Sequence, residues 1–211
     1  ENNSQIKEKV HPNDHCNLSQ SSNDSFPTAM NIAIIQQTKK KLLPANEKLI
    51  KILSKKEKEF SRITKIGRTH FQDAVPLTLG QEFSAFKEQS INAKKRIENS
   101  MNEFYSLAQG ATAVGTGLNC SKSFIKGFVR ALQAITKLPF KTAKNKFESI
   151  ASHESIIHFS GSINTLITTC YKISNDIRML ASGPRSGIGE IILPPNEPGS
   201  SIMPGKVNPT Q

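Results

Sequence analysis

Three polar stretches concentrate side chains able to move a proton or hold an anion. In GSSIMPGKVNPTQ, residues 199–211, Ser200 and Ser201 follow a glycine, and Lys206 and Asn208 lie just beyond Pro204 and Gly205. Glycine gives a backbone access to positive φ. Serine hydroxyls, an ammonium and an amide on such a loop can close over an anion. The spacing is not the GxSxG of a hydrolase elbow, nor the glycine pattern of a phosphate-binding loop. GRTH, residues 67–70, offers Thr69 as a donor and His70 as an acid, base or hydrogen bonder. Arg68 there can pair locally with Asp73. SQSSND, residues 19–24, leads into a helix. The first N–H groups of a helix lack internal partners and its dipole is positive there. With Ser21, Ser22 and Asn23 as added donors, this is a carboxylate or phosphate site. The same residues also make an ordinary helix cap, and a lone histidine is often structural or exposed.

The elements that carry these stretches read as helices. Pro27 suits a first helical turn, capped by Asn23, Asp24 or Ser25. Apolar residues then recur at Ile32, Ile35, Leu42, Ala45, Leu49, Ile52 and Phe60 with helical spacing. The pattern continues past Pro44 to about Arg62, which favours one kinked helix over a hairpin. Residues 67–78 read as a loop. Thr78 and Gln81 form a capping box for a second long helix through Phe83, Phe86, Ile97 and Leu107. A glycine-rich connection at 110–119 precedes a short helix from about Ser123 to Lys137. A fourth helix runs from about Lys146 to Ala181 and ends at Gly183 and Pro184. Nothing alternates with period two over a useful length, so the fold class is all-α, built from long antiparallel helices. If the first helix is continuous, roughly 35–40 residues at about 1.5 Å each hold SQSSND and GRTH roughly 50–60 Å apart. A site using both then requires several copies packed antiparallel, which implies a homo-oligomer.

Composition sets limits. The chain has 211 residues, of which 36% are hydrophobic and 21% charged, enough for a core. Its formal net charge is +11. The lysines are spread around long helical segments, and no aromatic residues interleave with them as a base-stacking platform would need. This disfavours nucleic acid, while a positive field assists approach of a small dianion. No apolar run is long enough to span a bilayer. The opening ENNSQIKEKV is not a signal peptide, and the chain reads as starting inside a longer polypeptide. Cys16, Cys120 and Cys170 have no metal-ligand spacing and read as buried or neutral thiols. His153 and His158 read as packing or surface residues, and Asp176 and Arg178 as ion-pairing support for the following loop.

Taken together, these stretches resemble a known family. GSSIMPGKVNP is similar to the signature loop of the fumarase/aspartase superfamily. HPNDHCNLSQSSNDSFPTAMNIA, GRTHFQDAVPLTLGQE, GTGLN and NDIRMLASGPRSGIGEIILPPNEPGSS resemble the class II fumarases, nearly throughout the chain after about residue 10. Aspartases usually carry Gln where His70 stands and Ala where Gly205 stands, so the alternative of an aspartate ammonia-lyase fits less well. A non-catalytic helical scaffold protein is the other alternative, but Ser200, Lys206 and His70 are all retained.

The resemblance implies a partial copy of the superfamily's central helical bundle. It divides the chain into a substrate-site loop at 1–23, the bundle at 24–182 and a catalytic-loop region at 183–211. It implies reversible hydration of fumarate to L-malate without a metal or organic cofactor, in a homotetramer with sites shared between subunits. The setting it implies is the cytoplasm, or the mitochondrial matrix in a eukaryote, with no nucleic-acid or membrane partner. Ser200 matches the base that takes the C3 proton of malate, and His70 the residue that moves a proton at the hydroxyl. Ser21, Ser22, Asn23, Thr69, Ser201, Lys206, Val207 and Asn208 match substrate-binding positions. His11, Pro12, Asn13 and Asp14 match a second dicarboxylate site near the entrance. The family also has an upstream threonine loop and, just past the position of Gln211, a glutamate that orients the histidine. Both lie outside this sequence, so the 211-residue piece alone is expected to be nearly inactive.

Overall fold

The computed structural model describes residues 9–197, 199 and 201–210. After a π-helical turn at Pro12–Cys16, helix α1 spans Ser22–Gln37. A π-helical segment, Thr38–Leu42, joins it to α2, Leu43–Glu59. The backbone is helical at every residue from 22 to 59, with no reversal at Pro44. The expectation of one helix over a hairpin therefore holds, and the irregularity takes the form of a π segment just before the proline. The helix starts earlier than expected. Ser21 is its N-cap and Asp24 completes a capping box, which places Pro27 in the second turn rather than the first.

Residues 64–78, read from the sequence as loop after Gly67, form an antiparallel hairpin of β1, Thr64–Thr69, and β2, Gln72–Thr78. His70 and Phe71 form its two-residue turn at φ 53° and 59°. Positive φ at both positions is what a type I′ turn requires, and the usual signal for it is Asn-Gly. His-Phe does not give that signal. Gly67 marks a register shift between Ile66 and Arg68, a bulge in the ladder. A side chain there would lie 2.7 Å from the Val75 carbonyl oxygen. Pro76 is accommodated because a two-stranded sheet consists only of edges.

Helix α3, Leu79–Met101, starts at the expected box: Thr78 N donates to Gln81 Oε1 at 2.8 Å and Gln81 N to Thr78 Oγ1 at 3.2 Å. It ends at Met101 and passes through a 3-10 turn, Asn102–Tyr105, into β3, Ser106–Leu107. Helix α4, Lys122–Thr136, is capped by Ser121, and Lys137 closes it at φ 57°. β4, Lys141–Thr142, pairs in parallel with β3. The fourth expected helix is two. α5, Lys146–Ala151, is separated from α6, Glu154–Leu180, by Ser152 in extended conformation. The Ser152 hydroxyl bonds the Glu154 carboxylate, a local alternative to continuing the helix that the apolar periodicity does not reveal. α6 ends before Gly183, which has φ 108° and a cis bond to Pro184. Helices dominate, so the all-α class holds, with two small strand pairs added.

The chain divides into two compact units. One takes in residues up to Lys48 and Lys95–Ser162, the other Leu49–Lys94 and residues from Ile163 on. The first is built on buried Ile35, Ile97, Met101, Phe104, Leu107 and Phe140, with Phe104 edge-on to Phe159 at 5.4 Å. The second is built on Leu53, Leu79, Phe83, Phe86, Ile173 and Leu180, against which Ile188 and Ile191 pack. Among the described residues no helix is long and apolar enough to cross a membrane.

Candidate functional site

In the first unit the helix start is tied to the glycine-rich connection. Ser21 Oγ accepts from Asn23 N at 3.1 Å, and Ser25 Oγ donates to the Ser21 carbonyl at 2.7 Å. Asn23 Nδ2 donates to the Ala113 carbonyl at 2.8 Å. The organising residue is Asp24, which is fully buried. Its Oδ1 accepts from Ser21 N at 3.0 Å, and its Oδ2 from Gly110 N at 3.0 Å and Thr112 N at 2.9 Å. The sequence marks Asp24 only as one possible cap. Its grip on residues 110 and 112, 86 and 88 positions away, has no local signal. Asp24 takes up Ser21 N and Ser21 Oγ takes up Asn23 N, so an incoming anion at the helix start would rely on Ser22 and the remaining groups around it.

Lys146 braces the same connection. Its Nζ donates to the carbonyls of Leu107 at 2.8 Å and Gln109 at 2.7 Å. Burial pushes its ammonium down to about 8, against the opposing pull of Asp24. Burial pushes the Cys120 thiol up, which keeps it neutral as expected. The Cys170 thiol is likewise pushed up by burial, whereas Cys16 is exposed rather than buried.

At the other polar turn of this unit, His11 caps Pro12–Cys16. Its Nδ1 lies 3.2 Å from Asp14 N and 3.0 Å from Asp14 Oδ2. His11 N donates to His15 Nδ1 at 2.8 Å. His11, Pro12, Asn13 and Asp14 are all exposed. His158, on the surface, pairs through Nδ1 with Glu103 at 2.8 Å.

In the second unit Thr69 and His70 stand at the exposed tip of the hairpin. The bulge at Gly67 re-aims Arg68, whose cross-strand neighbour is Asp73. The expected local pair is superseded: Arg68 NH2 donates to Glu190 Oε1 at 2.6 Å. Lys65 Nζ lies 2.7 Å from Glu190 Oε2 and 2.8 Å from Glu82 Oε1. Burial pushes the Glu190 carboxyl up, but the bonds from Arg68 and Lys65 hold it below the usual carboxylate range. The Glu190 bond raises the Arg68 guanidinium in turn. No local signal singles out Glu190, because its partners are 122 and 125 positions away and the local pattern is loop.

The closing loop doubles back on itself. A side chain at Gly199 would lie 2.5 Å from the Lys206 carbonyl oxygen, and Gly205 has φ 80°. Lys206 N donates to the Met203 carbonyl at 3.3 Å. Ser201, Lys206, Val207 and Asn208 are exposed, and Ser200, the expected base, lies outside the described residues. Asn208 also borders a cleft of about 370 Å³ with Tyr171, Asn175, Arg178 and Asn196. The support expected from Asp176 and Arg178 is instead spent along α6: Asp176 pairs with Lys172, and Arg178 donates to Asn175 at 2.8 Å. So the structure groups Thr69 and His70 on one turn, Lys206 to Asn208 on one loop, and Ser21 to Asn23 at one helix start. Within the second unit, among the described residues, no hydrogen bond joins Thr69 or His70 to Lys206, Val207 or Asn208.

Comparison with known proteins gives a consistent result. The family profile described as "Lyase" matches residues 2–211. Over 205 residues the chain is 60% identical to a class II fumarate hydratase of Brucella suis, covering 97% of this chain and 44% of that protein. It is 59% identical to the mitochondrial fumarate hydratase of Mus musculus, covering 97% of this chain and 40% of that protein. The structure is similar to a class II fumarase from Schistosoma mansoni with a TM-score of 0.92 and 48% identity, over 96% of this chain and 45% of that one. It is also similar to a fumarate lyase:delta crystallin structure from Brucella melitensis, with a TM-score of 0.83 and 40% identity, over 95% of this chain and 44% of that one. The chain thus spans less than half the length of these relatives.

Proposed function

From the premise that this chain belongs to the lyase family, we propose that the protein carrying it interconverts fumarate and L-malate. The observation that carries this reading is identity of 60% to a class II fumarate hydratase across 97% of the chain. The retained residue types support it. The aspartase alternative is disfavoured by His70 and Gly205, and the scaffold alternative by retention of Ser200, His70 and Lys206 together.

The reaction has one hard step. Removing the C3 proton of malate places charge on the adjacent carboxylate, forming an aci-carboxylate, and catalysis must favour that charge over the ground state. Ser200 acts as the base, in its alkoxide form, and takes the C3 proton. Lys206, Val207 and Asn208 hold the carboxylate that gains charge, and Ser201 helps seat it. Ser21, Ser22 and Asn23, with Thr69, receive carboxylate oxygens. His70, through a water, delivers the proton with which the C2 hydroxyl departs. The C2–O bond breaks, the C2–C3 double bond forms, and water leaves. His11, Pro12, Asn13 and Asp14 form a second dicarboxylate site.

The site is shared between copies in a homotetramer. Two observations support this: the helical backbone from 22 to 59 does not reverse, and α6 exposes Ile157, Ile167 and Tyr171 at 73%, 58% and 69%. Long apolar side chains in such exposure suit an interface between subunits. The compartment is the bacterial cytoplasm, or the mitochondrial matrix in a eukaryote.

Product analysis of the full-length protein tests the reading against its rival. Malate is expected to yield fumarate, and aspartate no ammonia. Ammonia from aspartate, without fumarate from malate, would transfer the assignment to an ammonia-lyase.

A further inference from the structure

The Lys65–Arg68–Glu190 cluster joins the two segments of the second unit on which the proposed chemistry depends. Arg68 is two residues from His70, on the last part of β1 before the turn. Glu190 lies in the segment that leads from α6 to the closing loop. Its backbone is fixed as well: Glu190 N donates to the Leu180 carbonyl and Gly189 N to the Ser182 carbonyl, both at 2.8 Å. Ile188 and Ile191, on either side, pack on the core that contains Leu79, Phe83 and Leu180. Glu190 is therefore a stationary point. Its two carboxylate oxygens are divided between Arg68 at 2.6 Å and Lys65 at 2.7 Å. Lys65 is only 7% exposed and is held from its other side by Glu82.

The hairpin needs such an anchor. It is a two-stranded ribbon, its outer residues are exposed, and its turn holds His70 and Phe71 at positive φ. Two-stranded ribbons are marginal without packing. The bulge at Gly67 lets Lys65 and Arg68, three residues apart, engage one carboxylate. In an unbroken strand, residues three apart point to opposite faces.

We propose that Glu190 is a positioning residue for the hydration reaction. By holding Lys65 and Arg68 it fixes the hairpin tip that bears Thr69 and His70 to the segment that delivers the closing loop. This rests on the proposed function, and Glu190 acts through the hairpin without touching substrate.

The test uses the full-length protein with Glu190→Gln, Glu190→Asp, Arg68→Lys and the Arg68→Gln/Glu190→Gln pair, with Ser200→Ala as control. Turnover and KM are measured well below the melting temperature of each variant. Glu190→Gln is expected to lower kcat at least about tenfold, since small misplacement of a catalytic group is costly to rate. Its KM should change much less than its kcat. Glu190→Asp should recover part of the loss, and the double variant should lose little more than either single one. Should Glu190→Gln not fold, Arg68→Lys carries the test: it keeps the charge, loses the forked geometry, and should lower kcat several-fold at an unchanged melting temperature. Folded variants with lower melting temperatures but wild-type kcat would overturn the positioning role. That result, with wild-type turnover present and Ser200→Ala inactive, leaves the proposed function standing. A wild-type protein that does not interconvert fumarate and malate overturns both.

Discussion

His70 combines a chemical assignment with a backbone conformation that is uncommon for any residue other than glycine. Its φ of 53° lies in the left-handed region, shared with Phe71 across the turn. Such conformations cost roughly 1–3 kcal/mol for ordinary residues and are retained where the surroundings impose them. Asparagine is the more natural occupant of this turn. His70→Asn is therefore expected to leave hairpin stability unchanged or raise it by up to about 1 kcal/mol, while lowering turnover by about 100-fold or more. Thermal melts beside steady-state kinetics would separate the two effects. Lys146 yields a prediction of a different kind. Burial depresses its ammonium to about 8 from an ordinary 10.5. Between those values the unfolded chain binds more protons than the folded one, so stability rises with pH across that window. The contribution is unfavourable and constant below it. Lys146→Met should flatten the rise, as read by chemical denaturation between about pH 8 and 10.5.

The elements show how a single buried acid sets a local architecture. Asp24 caps its own helix and also gathers Gly110 N and Thr112 N, which belong to a connection with positive φ at residues 110, 112, 115, 117 and 119. Asp24→Ala would strand three backbone donors. The expected loss of stability is roughly 2–5 kcal/mol, seen as a lowered denaturation midpoint. Substitution of the exposed Asn13 should change little. The helices were legible because their signals are local: the Thr78–Gln81 box, the glycine-rich breaks and the 3.6-residue apolar rhythm all lie within a few positions. The β1–β2 hairpin was not, because its turn is His-Phe and Gly67 and Pro76 read as breakers. The interruption at Ser152 was hidden by apolar residues that keep helical spacing across it. The local reading pairs Arg68 with Asp73, five residues on in the partner strand, whereas its acceptor lies far along the chain at Glu190.

At the scale of the molecule, the three polar stretches were visible in residue types and their spacing, whereas the proposal that they share one site rests on the resemblance. Residues 22 to 59, all helical, separate Ser22 from His70 along the chain, and in the proposed shared site the two meet only through other copies of the chain. That dependence predicts complementation. Full-length Ser22→Ala and His70→Asn variants, each nearly inactive, should regain activity when unfolded together and reassembled, because some sites of a mixed assembly draw both intact residues. Mixtures that stay as inactive as their parents would mean that each copy builds its own site. The central claim is most directly tested by one comparison: the rate of fumarate formation from L-malate by the full-length protein and by its Ser200→Ala variant, both confirmed as folded and equally assembled. The account predicts ready turnover by the first and a loss of about 1,000-fold or more in the second, as removal of a catalytic nucleophile or base commonly produces. Equal rates in the two would contradict it.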